Sequence, residues 1–456
     1  MKTISKRLAS WLALAAFLHP GPSLALAAAN GATLTLVDIA TDDTDPMNLD
    51  DSEPSIAVNP INPDEIAVVA FSERWSSSAR APVWKSSDGG ASWRKVFQIP
   101  IPRAGLIGPD DQRIAFDANG SLFVAEQGAG GTPRNFIYSQ MAGPDDPLTV
   151  GGAFGDDQVQ IDIDNSAASA CFSMIYSSWL NFGLNPEKSM LTRSADSGVT
   201  VLSLRLGTSA AFANRSTRTA VGPDGRAYAI YKTREGSTGG GFENVHFRIH
   251  RSDDCGSSWD ALGPDGVPVH GPDPVQSWFT SSWGNPARGK TGRARSSDDW
   301  IAVNPADGAV YAAYVSKDDS TFGQIYVARS EDLGMTWSSA RVTDGTHHSA
   351  YPEIAVAANG TVGVLYVDYD DSGPRNVFRH RFARSFDNGS TWMDELLQEL
   401  EPTTIANARS GFLWGDYNGL TALGTRFYGV FTGESVGRTL RQMDPIFFSE
   451  TALPPE

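Results

Sequence analysis

The sequence predicts an all-β fold, a seven-bladed β-propeller of four-stranded antiparallel blades, with six blades as the alternative. The first observation is a short pattern, Ser-x-Asp-x-Gly-x-Thr/Ser-Trp, that recurs five times among the 456 residues. The second is a longer repeat of apolar strand, turn and apolar strand, which recurs seven times. Beyond the first residues no segment has a helical period. One supersecondary unit copied along a chain indicates a ring or an array of blades.

The five short copies, which we call boxes, are interpreted as turns of β-hairpins. They are Ser86–Trp93, Ser194–Val201, Ser252–Trp259, Ser330–Trp337 and Ser385–Trp392. In each box the Asp can accept backbone N–H bonds and the Gly supplies a left-handed conformation. The last residue, which is Trp in four boxes and Val201 in the second, packs on a sheet. These structural aspartates are Asp88, Asp196, Asp254, Asp332 and Asp387. A calcium loop needs more carboxylates than a box has, so no cofactor is expected, and structural calcium stays an open alternative.

The longer repeat and the hairpin that follows it give the four strands of one blade. Its copies begin at Ser55, Arg113, Gln160, Arg218, Trp300, Glu353 and Gly419. The second copy has no box, and the seventh ends soon after its third strand. We expect the strand at residues 33–39 to supply the missing fourth strand and close the ring, because closure removes an exposed sheet edge.

The N-terminus has the features of a secretory signal peptide over residues 1–29. Lys2, Lys6 and Arg7 precede the apolar run Leu8–Leu18, and small residues follow at 25–27. The apolar run is too short to span a bilayer, and no later stretch is apolar enough. The sequence therefore predicts a secreted or periplasmic protein with one propeller domain over residues 30–456.

Charge and cysteine content restrict the partners. The net charge of −17 argues against nucleic acid, since phosphate binding needs a basic surface. A glycan or acidic carbohydrate needs only a local basic pocket, and a monomer is expected. The apolar stretch Cys171–Tyr176 is expected to form the second strand of blade three, so that Cys171 opens it, and Cys255 lies in the box of blade four. Both cysteines then fall near the box ends of adjacent blades, so a disulfide is predicted, with two free thiols as the alternative.

Antiparallel topology places all boxes on one rim and the long links on the opposite face. There the residues before each first strand should ring the mouth of the central channel. They are Asp51, Glu53, Asp110, Asp111, Arg113, Asp156, Asp157, Arg215, Arg218, Asp298, Asp299, Tyr351, Glu353, Asp416 and Tyr417. Clustered carboxylates with arginines and tyrosines are typical of a glycosidase or a metal site. The alternative is structural, because Asp before a strand often caps a turn.

One link, residues 260–297, is much longer than the others and rich in aromatic and basic residues. These include Trp278, Phe279, Trp283, Arg288, Lys290, Arg293 and Arg295. Aromatic faces can stack on sugars and clustered cations can hold a carboxylate, so the link is a candidate substrate contact. An ordinary solvated loop with an aromatic anchor is the alternative.

The boxes resemble the Asp-boxes of the sialidase and BNR-repeat superfamily, and the Ile-Ala-Val-Asn-Pro copies resemble exported proteins described as exo-α-sialidases. Sialidases of that superfamily hold the substrate carboxylate with three arginines and use a Tyr nucleophile, a Glu that assists it and an Asp acid/base. The chain lacks the Phe/Tyr-Arg-Ile-Pro motif of their first arginine. Roles are therefore assigned by position at the channel mouth. Arg113 and Arg218 are expected to bind the substrate carboxylate, with Tyr417 as nucleophile, Glu353 as its base and Asp111 as acid/base. Trp278, Trp283 and Arg293 of the long link are expected to be further substrate contacts.

The resemblance implies a glycoside hydrolase that acts on an acidic sugar, and this is the leading hypothesis. A non-catalytic propeller that binds glycan or protein is the first alternative. A polysaccharide lyase, which also needs an Arg or a metal to neutralise a carboxylate, is the second.

Overall fold

The computed structural model describes fourteen segments of the chain. They are residues 23–27, 33–41, 50–72, 81–99, 107–129, 135–140, 146–206, 213–235, 244–267, 299–316, 322–370, 377–400, 417–436 and 442–452. These segments contain strands and turns and no helix.

Seven antiparallel sheets form the blades, and in blades one to six the strands lie in chain order. Blade one contains β3 (Asp51–Val58), β4 (Ile66–Ser72), β5 (Ala81–Ser86) and β6 (Arg94–Ile99). Blade two contains β7 (Ile107–Phe116), β8 (Leu122–Ala129), β9 (Asn135–Gln140) and β10 (Thr149–Phe154). Blade three contains β11 (Asp157–Ile163), β12 (Ile175–Asn181), β13 (Lys188–Ser194) and β14 (Leu202–Arg205). Blade four contains β15 (Ala213–Val221), β16 (Ala227–Glu235), β17 (Asn244–Ser252) and β18 (Asp260–Val267).

The remaining three blades complete the ring. Blade five contains β19 (Trp300–Val303), β20 (Val310–Ser316), β21 (Gln324–Ser330) and β22 (Ser338–Arg341). Blade six contains β23 (His348–Val356), β24 (Val362–Asp370), β25 (Val377–Ser385) and β26 (Met393–Leu400). Blade seven contains β27 (Gly419–Leu423), β28 (Arg426–Glu434) and β29 (Met443–Thr451), joined by β1 (Ser23–Ala27) and β2 (Thr33–Asp38). The predicted seven-bladed propeller is confirmed.

The N-terminal strand closes the ring as the sequence predicted. Strand β2 pairs antiparallel with β29, with Val37 opposite Phe447. Strand β1 lies inside the predicted signal peptide and pairs with the other edge of β2. The first strands of neighbouring blades contact one another around the whole circle, from β3 through β27 and back to β3. They therefore surround a central channel, and the apolar core lies between adjacent sheets.

The boxes are the turns between the third and fourth strands of their blades. In the fifth-blade box, Asp332 Oδ1 accepts hydrogen bonds from Ser330 Oγ and Thr336 N, both at 2.8 Å. Its Oδ2 accepts one from Thr336 Oγ1 at 2.6 Å. These bonds, the side-chain bond from Thr336 first, lower the pKa of Asp332 to about 2. The carboxylate is thus used within its own turn.

The boxes also pack against the preceding blade. In the first box, Trp93 meets Phe447 of blade seven edge-on, with ring centroids 5.2 Å apart. Gly90 lies so close to Phe447 that any Cβ would overlap the ring. In the fourth-blade box, Trp259 meets Tyr176 of blade three at 6.2 Å. The boxes therefore hold neighbouring blades together.

A disulfide reinforces one of these blade contacts. Cys171 of blade three is bonded to Cys255, which lies in the box of blade four, with a Cα–Cα distance of 5.2 Å. Cys171 does not open a strand, as the apolar pattern suggested, because β12 begins only at Ile175. It lies in a turn that Asp164 holds through a hydrogen bond from Ser169 Oγ.

Candidate functional site

One position of the repeat forms a layer across the channel. In most blades a β-bulge interrupts the first strand, and the residue after the bulge resumes pairing, as Arg113 does with Ala125. A bulge bends the strand and re-aims the side chains beside it. We call the seven residues at this position the channel layer: Ser55, Arg113, Gln160, Arg218, Trp300, Glu353 and Gly419. The repeat therefore brings one residue from each blade to one height of the channel.

Two arginines of the channel layer share the same aromatic neighbours. The guanidinium carbon of Arg113 lies 4.8 Å from the Trp300 ring and 4.6 Å from the Tyr417 ring. That of Arg218 lies 4.9 Å and 5.0 Å from the same two rings. Tyr417 comes from just before β27, so blades two, four, five and seven meet at this point. Cation–π contacts of this kind fix a guanidinium without using its N–H groups.

Glu353 completes the cluster from blade six. Its Oε1 lies 3.5 Å from Arg113 Nη1, and its Oε2 accepts a hydrogen bond from Leu420 N at 3.0 Å. The side chain is 3% exposed. Burial raises the pKa of Glu353 to about 7, against the opposing effect of Arg113 and Arg218. A carboxyl that titrates near neutrality can exchange a proton during catalysis.

Arg113 presents one edge that its protein neighbours do not use. Its Nη1 donates to the Asn418 carbonyl oxygen at 2.9 Å. Its buried Nε and Nη2 atoms have no hydrogen-bond acceptor among the described residues. Burial lowers the pKa of Arg113, but an arginine keeps its charge in proteins. These two atoms form one side of the guanidinium, where two parallel N–H groups match the two oxygens of a carboxylate.

A carboxyl pair lies where β7 meets β11, and its Asp111 is two residues before Arg113 in β7. Gln158 N donates to Asp111 Oδ2 at 3.1 Å and to Asp157 Oδ1 at 2.7 Å. Burial first, and then the adjacent Asp111, raises the pKa of Asp157 to about 9. One proton is therefore shared by this pair at neutral pH. Asp111 in β7 and Gln158 in β11 both have positive φ, 40° and 54°. These backbone conformations belong to the bulges of the two strands, and the bulges bring the carboxyls of Asp111 and Asp157 together.

The structure thus brings together four predicted site residues, Arg113, Arg218, Glu353 and Tyr417, and places Asp111 in the adjacent carboxyl pair. The predicted substrate contacts Trp278, Trp283 and Arg293 lie outside the described residues. Sequence reasoning gave no role to Trp300, although it opens its repeat copy just as Arg113 does. It named Asp157 as part of the ring but did not single it out as the partner of Asp111.

Within the described segments, no group of three or more His, Cys, Asp and Glu side chains could hold a metal ion. In the same segments, no helix is long and apolar enough to cross a membrane.

Comparison with known proteins supports the fold. No protein-family model matches the sequence, and no curated protein does. Among solved structures, an ulvan lyase of a new polysaccharide lyase family is similar with a TM-score of 0.52 and 11% identity, covering 87% of this chain and 94% of the other. A protein of unknown function from Dyadobacter fermentans has a TM-score of 0.47, 14% identity, and coverages of 91% and 98%. A Hadza microbial sialidase has a TM-score of 0.42 and 15% identity, and 89% of this chain matches 66% of its length.

Proposed function

We propose that this protein is an exported, glycan-active β-propeller enzyme, a glycoside hydrolase that acts on an acidic sugar. The observation that carries the proposal is the unused edge of Arg113, a buried bidentate donor beside a tyrosine and a carboxyl of raised pKa. A carboxylate on the substrate is the group that such an edge fits best. The basic and apolar leader of residues 1–29 supports export.

Each neighbour of Arg113 has a step to perform in this proposal. Tyr417 attacks the anomeric carbon and Glu353 accepts the phenolic proton. The guanidinium groups of Arg113 and Arg218, within 5.0 Å of the tyrosine ring, stabilise the charge that develops on the phenol oxygen. A covalent glycosyl–tyrosine intermediate forms, and the sugar's leaving oxygen departs.

The Asp111–Asp157 pair supplies the acid/base function. The proton that the pair holds at neutral pH goes to the leaving oxygen. The ionised pair then takes a proton from the water that attacks the anomeric carbon, and the bond from that carbon to the Tyr417 oxygen breaks. Glu353 returns its proton to the Tyr417 oxygen and the free sugar leaves, so Tyr417, Glu353 and the pair are back in their starting protonation states.

The test compares fluorogenic glycosides with and without a carboxylate. We expect wild type to turn over a sialoside or a glucuronide and to leave the matching glucoside intact. Arg113→Ala should lower kcat/KM by about a hundredfold, because losing one partner of a buried charged pair costs about 3 kcal/mol. Arg94→Ala, an exposed arginine at the start of β6, is the matched control.

Three outcomes would contradict the proposal. Failure of wild type to cleave any acidic glycoside would sink the hydrolase. Binding on a glycan array without turnover would favour a non-catalytic binding propeller. Absorbance from an unsaturated uronate, released from an acidic polysaccharide, would identify a lyase.

A further inference from the structure

A cavity occupies the channel on the box side of the channel layer. Its volume is about 420 Å³, within the range of pockets that bind small ligands. Its lining runs from Arg113 and Glu353 of the channel layer to Pro60, Asn165 and Pro305, which follow first strands at the box rim. The bulge residues on the other side of the channel layer do not contribute to this lining. The cavity therefore extends from the channel layer toward the box rim, and at its channel-layer end it shares Arg113 and Glu353 with the proposed substrate site.

Small side chains keep this part of the channel wide. Two residues beyond the channel layer, five of the seven blades carry alanine. From blade one to blade seven, the residues at this position are Ala57, Ala115, Asp162, Ala220, Ala302, Ala355 and Thr421. Asp162 is the single carboxyl in a position where alanine is the rule.

Polar groups cluster on the wall formed by blades three and four. Gln160 and Asp162 are two residues apart in β11, so they share a face of the strand. Asp162 Oδ1 accepts a hydrogen bond from Ile163 N at 2.9 Å, and a second backbone bond comes from Val221 of β15. Thr219 lies two residues before Val221 in β15. Gln160, Asp162 and Thr219 all line the cavity.

Two of these groups have hydrogen-bonding capacity that the protein does not use. Gln160 is 5% exposed, and its Nε2 has no acceptor among the described residues. The buried Oγ1 of Thr219 is likewise without a partner in the described part of the chain. Buried polar atoms are almost always paired, so a partner in the cavity is expected for both.

Two side chains of the lining restrict what that partner is. Burial raises the pKa of Asp162 to about 7, so its carboxyl is partly ionised at neutral pH and disfavours an anion beside it, while the Arg113 guanidinium in the channel layer disfavours a cation. An amide donor, a hydroxyl and a carboxyl together suit a ligand whose groups both donate and accept, as hydroxyl groups do. We propose that the box-side part of this cavity, at Gln160, Asp162 and Thr219, is a second binding site for a small neutral polyol such as a free monosaccharide.

Calorimetry tests the site without any use of enzymatic activity. Wild type is titrated with D-galactose, L-arabinose and myo-inositol, each up to about 20 mM, which covers weak millimolar affinities. We expect saturable binding of at least one polyol. Gln160→Leu, which removes the amide donor, and Ala302→Leu, which fills the cavity, should each weaken binding by about tenfold or more.

Matched controls make the same chemical changes on the surface. Gln98→Leu and Ala168→Leu alter exposed residues that do not line the cavity and should bind as wild type does. If Ala302→Leu fails to fold, Gln160→Leu decides alone. The proposal is overturned if wild type binds none of the three polyols, if it binds calcium or acetate in their place, or if the folded channel variants bind as tightly as the controls.

Discussion

The box rim and the channel layer come from the same repeat, but the repeat is uniform in one and divergent in the other. In the boxes of Asp88, Asp196, Asp254, Asp332 and Asp387 the carboxylate accepts hydrogen bonds from its own turn in the same way. In the channel layer the seven blades supply six different residue types. A uniform position can hold copies together. A single reaction site needs different groups from different copies, and only the divergent position offers them.

The largest effect is expected from the divergent position. Glu353→Gln keeps the shape of the side chain but removes the group that accepts the proton from Tyr417. We expect kcat to fall by about a thousandfold, a typical contribution of general acid–base catalysis. Stability should hold or rise, because a buried charge is removed. Kinetics on an acidic glycoside and urea unfolding measure both quantities.

Glu331→Gln is the matched control for this variant. Glu331 lies in the fifth-blade box, and its side chain is 71% exposed. If Glu331→Gln lost as much activity as Glu353→Gln, the box rim and the channel layer would not differ in function.

The disulfide offers the next largest effect, on stability alone. Replacing Cys171 and Cys255 together by serine opens a loop with a sequence separation of 84. We expect the free energy of unfolding to fall by about 3–4 kcal/mol, with kcat unchanged. Urea unfolding under non-reducing conditions measures the loss. A variant as stable as wild type would mean that blades three and four do not need the link.

Substitutions at two glycines of the box rim distinguish the energetic cost of tight packing from the cost of backbone strain. Gly90 and Gly308 both have positive φ, 94° and 76°, but only a Cβ at Gly90 would overlap a neighbour, the Phe447 ring. We expect Gly90→Ala to cost about 3 kcal/mol and Gly308→Ala about 1 kcal/mol. Equal losses in urea unfolding would show that the box does not pack tightly on the preceding blade.

A pH dependence of stability is expected at the carboxyl pair. The pKa of Asp157 rises from 3.8 to about 9, so the folded state binds a proton that the unfolded chain has lost. Between these values wild type loses stability as pH rises, while Asp157→Asn, which resembles the protonated form, does not. The carboxyls that face Asp157 are Asp111 from β7 and Asp156 beside it.

Melting curves from pH 4 to pH 9 measure this difference. Wild type and Asp157→Asn should have similar melting temperatures at the acid end of the series. Toward the alkaline end the variant should become increasingly more stable than wild type. Parallel curves would contradict a shared proton in the pair.

The sequence predicts those features that the repeat itself encodes. The seven copies, the box turns and closure by β2 follow from pattern and topology, and the meeting of Arg113, Arg218 and Glu353 follows from their equal place in each copy. The contact between Asp111 and Asp157 does not follow, because it depends on bulges with positive φ that shift the register. The start of β12 was misplaced because the turn around Cys171 is held by side-chain hydrogen bonds, which an apolar pattern does not reveal.

The most direct test of the account is the substitution Arg113→Lys. Lysine keeps the positive charge but lacks the two parallel N–H groups of the unused edge. If that edge holds the substrate carboxylate, kcat/KM for an acidic glycoside should fall by about a hundredfold while the unfolding free energy stays near that of wild type. An Arg113→Lys enzyme with the kcat/KM of wild type would contradict the claim that the channel layer binds the acidic sugar.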